Sequence, residues 1–99
     1  MKAAELQSRI KSGRAPVILD VRSRWEYARA HIPGALFVPF WRANVAKIPA
    51  KTNDEVVIYC GHGPRARWAA SALRRRGFTA VDLLDGHWAR WPADPITLR

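Results

Sequence analysis

The chain has 99 residues, a single cysteine, 48% hydrophobic residues and a net charge of +9 from 17 Lys and Arg against 8 Asp and Glu. That length predicts one domain over residues 1–99 with a core of its own, and the hydrophobic content excludes a disordered chain. A lone cysteine excludes an intramolecular disulfide, no apolar run nears the roughly 18 residues of a membrane span, and no signal-peptide core opens the chain, so a cytoplasmic protein is the default expectation.

Leu6 and Ile10, four residues apart, predict a helix over 3–11 with Gly13 just past its end. Val17-Ile18-Leu19 is a short apolar run closed by Asp20, which predicts a buried strand. Ser23 and Glu26 have the spacing of a capping box, so a helix is expected from there to about Ala30. His31-Ile32-Pro33-Gly34 is a turn signal. A second short strand is expected from Ala35 to Val38, and a helix from Phe40 to Ile48, stopped by Pro49. Val56-Val57-Ile58-Tyr59 predicts a buried strand that ends at Cys60. A helix is expected from Ala66 to Arg76, with Trp68, Ala69, Ala72 and Leu73 at helical spacing and Gly77 as its cap. The last strand is expected over Val81–Leu84, then a turn or short helix from Gly86 to Trp91. The tail from Ala93 to Arg99 carries no strong signal.

Strands alternating with helices predict an α/β fold, a small, mainly parallel sheet flanked by helices on both faces. Ligand sites in such sheets lie at the carboxyl ends of the strands. Cys60 is at such an end, and Asp20 and Asp85 stand where they could share its rim. A strand, a glycine-containing turn and a helix would bring the sulfur to a helix N-terminus, whose unpaired N–H groups favour a thiolate nucleophile. The alternative is a small buried hydrophobe.

The basic surface attracts anions: small oxyanions, an acidic protein partner or nucleic acid. No nucleic-acid motif accompanies it. Arg74-Arg75-Arg76 is read as the solvated last turn of its helix. The three histidines lack metal-ligand spacing with Cys60, so no metal site is expected. His62 is read as an exposed rim residue, His31 as structural, and His87 as a residue that could reach the rim from the last loop. Trp88 and Trp91 are expected to pack over the core edge beside the Cys60 loop, with an aromatic wall for an acceptor as the alternative, and Trp25 and Trp41 to cover the sheet.

Three segments together resemble the rhodanese family of sulfurtransferases, and the resemblance covers nearly the whole chain. ILDVRSRWEYARAHIPGALFVPF resembles a strand ending in Asp-x-Arg, followed by a Glu and by His-Ile-Pro-Gly-Ala. VVIYCGHGPRARWAASALRRRGF resembles the family's active-site strand, loop and helix. DLLDGHWARWP resembles the closing signature, in which Gly-Gly precedes a Trp; here the pair is Gly86-His87.

The resemblance implies a rhodanese-like fold and a two-step relay in which Cys60 takes a sulfur from thiosulfate or a persulfide donor and passes it to a thiol or cyanide acceptor. No metal or organic cofactor is implied, and neither nucleic acid nor a membrane is an expected partner. An acidic acceptor protein is a further candidate. The implied donor-binding residues are Gly61, His62, Gly63, Arg65 and Ala66. Gly61 and Gly63 would supply the backbone angles of an anion-binding curl. Arg65 would either hold the loop's shape or bind the oxyanion end of the donor. Asp20, Arg22 and Glu26 are expected to form one supporting ion-pair network that holds the first strand-to-helix turn, with support of the Cys60 loop through Arg65 as the alternative. Related phosphatases use Cys-x5-Arg, which would require an Arg at Ala66; Arg65 gives the sulfurtransferase spacing, Cys-x4-Arg. Pro64 lacks an N–H, and Ala66 lacks the hydroxyl many members carry there, so donor preference or rate is expected to change more than reaction type. The alternatives are a non-turnover sulfur-carrier or regulatory module on the same fold and, after it, a Cys-dependent phosphatase or arsenate reductase.

Overall fold

Four parallel strands form the centre of the molecule in the computed structural model, which describes residues 1–92; residues 93–99 lie outside the described region. In chain order the elements are α1 (Ala3–Lys11), β1 (Val17–Asp20), α2 (Arg24–Arg29), β2 (Leu36–Phe37), β3 (Val56–Tyr59), α3 (Pro64–Arg75) and β4 (Val81–Leu83), with 3₁₀ turns at Phe40–Arg42 and Trp88–Arg90. The strand order is β2-β1-β3-β4, so β1 and β3 are central. They pair in register from Val17 opposite Val56 to Asp20 opposite Tyr59. Central strands of a covered parallel sheet bury both faces, which is why both are continuous apolar runs.

The period-2 alternation of the strands divides the core in two. Leu19, Val21, Val56, Ile58 and Cys60 face α3, packing on Ala66, Ala69, Ala70 and Leu73. Ile18, Val57 and Tyr59 face the opposite way, onto Leu6 of α1, Ile32, Leu84 and Trp91. The helices therefore cover both faces, as expected. Alanine on the inner side of α3 lets the helix approach the sheet closely. Its end is fixed by Gly77 at φ +99°, with the Gly77 N–H on the Arg74 carbonyl and the Phe78 N–H on the Leu73 carbonyl. That pattern is a Schellman cap, and its left-handed position suits glycine. Arg74 and Arg75 occupy the exposed last turn, as expected, while Arg76 reaches back to the Ala43 carbonyl at 2.7 Å.

Three expectations need correction. The helix over Phe40–Ile48 is a single 3₁₀ turn, Phe40–Arg42, followed by further turns that bury Ile48. Asn44 and the β-branched Val45 are poor helix formers, Pro49 closes the segment, and nothing repays nucleation of so short a helix. The strand over Ala35–Val38 shrinks to Leu36–Phe37, although Val38 still donates to the Asp20 carbonyl at 3.0 Å. Conversely, α3 begins at Pro64, two residues before the expected Ala66. Proline at the first helical position gives up an N–H that would be unpaired anyway, and its fixed φ suits the helix.

Candidate active site around Cys60

Cys60 follows the last residue of β3 and is fully buried. The chain then curls through Gly61, His62 and Gly63 into α3. Gly63 precedes the helix with φ +135°, a conformation open to glycine and hardly to other residues. That angle turns its N–H onto Cys60 Sγ at 3.0 Å. A donor aimed at the sulfur at a helix N-terminus stabilises negative charge there.

Gly61 serves a different purpose from the one expected. Its φ is not positive, so its role is space. A Cβ at Gly61 would stand 3.0 Å from Arg65 Nη2. The missing side chain lets the guanidinium pass beside the loop. Arg65 then meets Glu26 of α2 in two parallel bonds, Nη1 to Oε1 at 2.8 Å and Nη2 to Oε2 at 3.2 Å. Of the two roles open to Arg65, this geometry commits its terminal nitrogens to holding the loop. The Arg65 hydrogen bonds drop the Glu26 carboxyl to about 2, helped by Ser23. The Glu26 hydrogen bond in turn raises the Arg65 pKa, with Glu26's charge and the nearby Cys60 sulfur adding to it. Glu26 also completes the expected capping box: Ser23 N–H donates to Oε1 at 3.0 Å, and Glu26 N–H donates to Ser23 Oγ at 3.3 Å.

The expected network of Asp20, Arg22 and Glu26 is two separate pairs. Asp20 and Tyr59 are register partners whose side chains share the face opposite Cys60. Asp20 accepts from Arg22 Nε and Nη2 and from the Tyr59 hydroxyl at 2.6 Å. Arg22 also donates to the Ala30 carbonyl at 2.7 Å and lies 4.5 Å above the Trp88 ring. Burial opposes the Arg22 charge, and the Asp20 bonds outweigh it, leaving its pKa raised. Burial, then the Asp20 charge, raises the Tyr59 pKa. Asp20 therefore braces β1, β3 and the end of α2 without lying on the Cys60 rim, and Asp85 is exposed.

His62 is exposed, as expected. His31 is structural: it stacks on Tyr27 at 3.8 Å and its Nδ1 donates to the Tyr27 carbonyl at 2.8 Å. Ala66 lies in the apolar layer beside Cys60, inside the first turn of α3. Trp91 is buried and Trp88 half-buried at the core edge. Trp25 and Trp41 do not cover the sheet, being 81% and 58% exposed. They project from the outer sides of α2 and of the first 3₁₀ turn.

His87 is placed where sequence position alone could not put it. It is 8% exposed, and its Nδ1 accepts the N–H of Cys60 at 3.3 Å. That contact fixes the ring proton on Nε2, which lies 3.4 Å from where a Gly63 Cβ would stand. His87 has φ +52° and ψ −154°, backbone angles that favour glycine. The readable signal was its departure from the Gly-Gly pair. Just beyond it, Trp88 N–H donates to the Cys60 carbonyl at 2.9 Å and Ala89 N–H to the Gly61 carbonyl at 3.0 Å.

Residues 2–94 match the family model described as the rhodanese-like domain. Human thiosulfate:glutathione sulfurtransferase is 33% identical over 101 residues, covering 88% of this chain and 87% of that protein. YrkF of Bacillus subtilis, named as a sulfur carrier, is 35% identical over 75 residues, 76% of this chain. The chain spans 40% of that relative's length. Among solved structures, the human single-domain sulfurtransferase TSTD1 superposes with a TM-score of 0.81 at 30% identity, covering 92% of both chains.

Proposed function

Because the chain belongs to the rhodanese-like domain family, we propose that residues 1–99 act as one sulfurtransferase domain whose nucleophile is Cys60. The Cys60 thiolate attacks the outer sulfur of thiosulfate or of a persulfide. The donor's S–S bond breaks, sulfite or a thiolate leaves, and Cys60 carries the sulfur as a persulfide. Cyanide or a thiol then attacks that outer sulfur, the new S–S bond breaks, and the Cys60 thiolate returns. The relay is covalent catalysis with ping-pong kinetics, and no net oxidation occurs.

The single observation that carries this reading is the 3.0 Å contact from Gly63 N–H to Cys60 Sγ. It lies inside a Cys-x4-Arg loop whose Arg is tied to Glu26 through both terminal nitrogens while remaining near the sulfur. Gly61, His62 and Gly63 surround the incoming sulfur, Ala66 keeps the layer beside it apolar, and Arg65 with Glu26 fixes the curl. Asp20 and Arg22 support the strand ends from the other face. Pro64 supplies no N–H and Arg65 is engaged with Glu26, so donor preference turns on the remaining loop N–H groups and on Arg67 beside Gly63. A reducing compartment such as the cytoplasm suits a lone, unpaired thiol. No helix among the described residues is long and apolar enough to cross a membrane.

Intact mass spectrometry after treatment with thiosulfate or a persulfide tests the reading. A gain of one sulfur, absent in Cys60→Ser and removed by cyanide, is expected. No gain, together with hydrolysis of an aryl phosphate, would replace the reading with a phosphatase. A gain that cyanide and thiols fail to discharge would indicate a carrier module without turnover.

A further inference from the structure

The carboxyl rim of the sheet carries an aromatic and basic surface that the sulfur relay does not use. Trp25 stands on α2 as a ridge, 81% exposed. On one side is a depression of about 550 Å³ that runs to Trp41, floored by Phe37 and edged by Arg24 and Arg42. On the other is a depression of about 270 Å³ bounded by Arg29 and by Trp88. Trp88 is the residue whose N–H holds the Cys60 carbonyl, so the second depression abuts the loop itself. The first lies at the end of β2, two strands from β3, or roughly 10 Å at the usual strand spacing.

The unpaired charge on this surface has one sign. Among the described residues, Arg24, Arg29 and Arg42 pair with no carboxylate, while the nearby acids are engaged: Glu26 with Arg65, and Asp20 with Arg22. Large rings left in water beside unpaired guanidinium groups mark a recognition surface. A partner matching it is acidic with apolar side chains between the acids. It must also present a nucleophile to the Cys60 persulfide. RNA carries the negative charge but has no thiol to take the sulfur, whereas a cysteine-containing polypeptide has both.

We propose that the Trp25 ridge and its two flanking depressions are the docking surface for an acidic polypeptide whose cysteine accepts the Cys60 sulfur, an inference that rests on the sulfurtransferase reading. The acceptor thiolate attacks the outer sulfur of the Cys60 persulfide, forming a new S–S bond as the old one breaks. The acceptor leaves as a persulfide, Cys60 returns as a thiolate, and no further oxidant or reductant enters.

The test uses the full chain loaded with one sulfur and three synthetic peptides of equal length. Each peptide has one cysteine and alternates leucine with glutamate, serine or lysine, and 2-mercaptoethanol serves as a small neutral acceptor. The glutamate peptide is expected to accept sulfur at a KM at least tenfold below that of the lysine peptide, an advantage that fades as salt rises. The triple variant Arg24→Glu, Trp25→Ala, Arg42→Glu is expected to abolish that preference while transfer to 2-mercaptoethanol stays unchanged. Tryptophan fluorescence of Cys60→Ser titrated with the same peptides reads docking without chemistry, so a failure to load Cys60 would sink the sulfurtransferase reading and leave docking measurable. Equal binding of all three peptides would overturn the proposal. So would an unchanged preference in the triple variant, or saturable binding of a single-stranded RNA oligonucleotide in place of the acidic peptide.

Discussion

Replacing His87 separates two effects that the structure places on one residue. The side chain supplies the acceptor for the buried Cys60 N–H, and the backbone holds a conformation that favours glycine. Leaving that N–H without a partner costs about 1–3 kcal/mol. Holding a non-glycine residue in such backbone angles also costs about 1–3 kcal/mol. His87→Ala keeps the strain and loses the acceptor. It is expected to lower Tm by roughly 5–20 °C, at about 4–8 °C per kcal/mol for a domain of this size. His87→Gly loses the same acceptor but relieves the strain, so its Tm should stay within a few degrees of the parent. Its loop is looser all the same, and Cys60 persulfide formation should slow by roughly tenfold. His87→Asn retains an acceptor oxygen near the Nδ1 position and should match the parent at neutral pH.

Acidification separates these variants further. Burial lowers the His87 pKa below its ordinary 6.5, and the Arg67 charge from α3 and His62 from the loop act in the same direction against Asp85. Folding therefore favours the neutral ring, the form whose Nδ1 can accept. That stability is fully present above about 6.5 and is lost as the pH falls through the lowered folded value. Thermal melts and persulfidation rates between pH 7.5 and 5, on the order of the range where histidine titrates, should show an acid-sensitive limb in the parent that His87→Asn lacks. If His87→Ala and His87→Gly lose equal stability, or if the Asn variant keeps the limb, the reasoning is wrong.

Other substitutions probe the rest of the cradle. Gly63→Ala places a Cβ 3.1 Å from Arg67 Nη1 at φ +135°, so it should cost about 1–3 kcal/mol and remove persulfide formation measured by mass. Gly61→Ala crowds only the end of Arg65 at 3.0 Å, so activity should fall more than Tm does. Glu26→Gln breaks a pair that is one-third exposed on both sides, worth at most about 1 kcal/mol of stability; kcat/KM for sulfur transfer should drop while the melt barely moves. With Glu26 held at about 2 in the folded protein, the stability it contributes is present above its ordinary 4.5 and disappears only as pH falls from there towards 2. Asp20→Asn strands the Arg22 charge, which is 2% exposed, and should cost about 3–5 kcal/mol; the protein that remains folded should still take up sulfur at Cys60.

The local parts of this molecule could be read from the chain because short-range chemistry decides them. The Ser23–Glu26 capping box, the Gly77 cap and the apolar runs of β1 and β3 each depend on residues a few positions apart, and each formed where expected. The Cys60 loop was legible for the same reason. What holds that loop was harder to see. Arg65 and Glu26 are 39 positions apart, and Cys60 and His87 are 27 apart. Their meeting depends on strand order and on strand parity. Parity is what divided the expected Asp20–Arg22–Glu26 network. Asp20 ends β1 opposite Tyr59 and points with it away from Cys60, whereas Glu26 reaches round from α2 to the Cys60 side. A one-residue slip between β1 and β3 would exchange those faces and bring a buried carboxylate towards the sulfur. Such a carboxylate would oppose a thiolate, so the register that buries Asp20 under Arg22 also leaves the Arg65-paired Glu26 without a second carboxylate beside it on the Cys60 side. The Asp20–Arg22 pair thus bears on the chemistry without touching it.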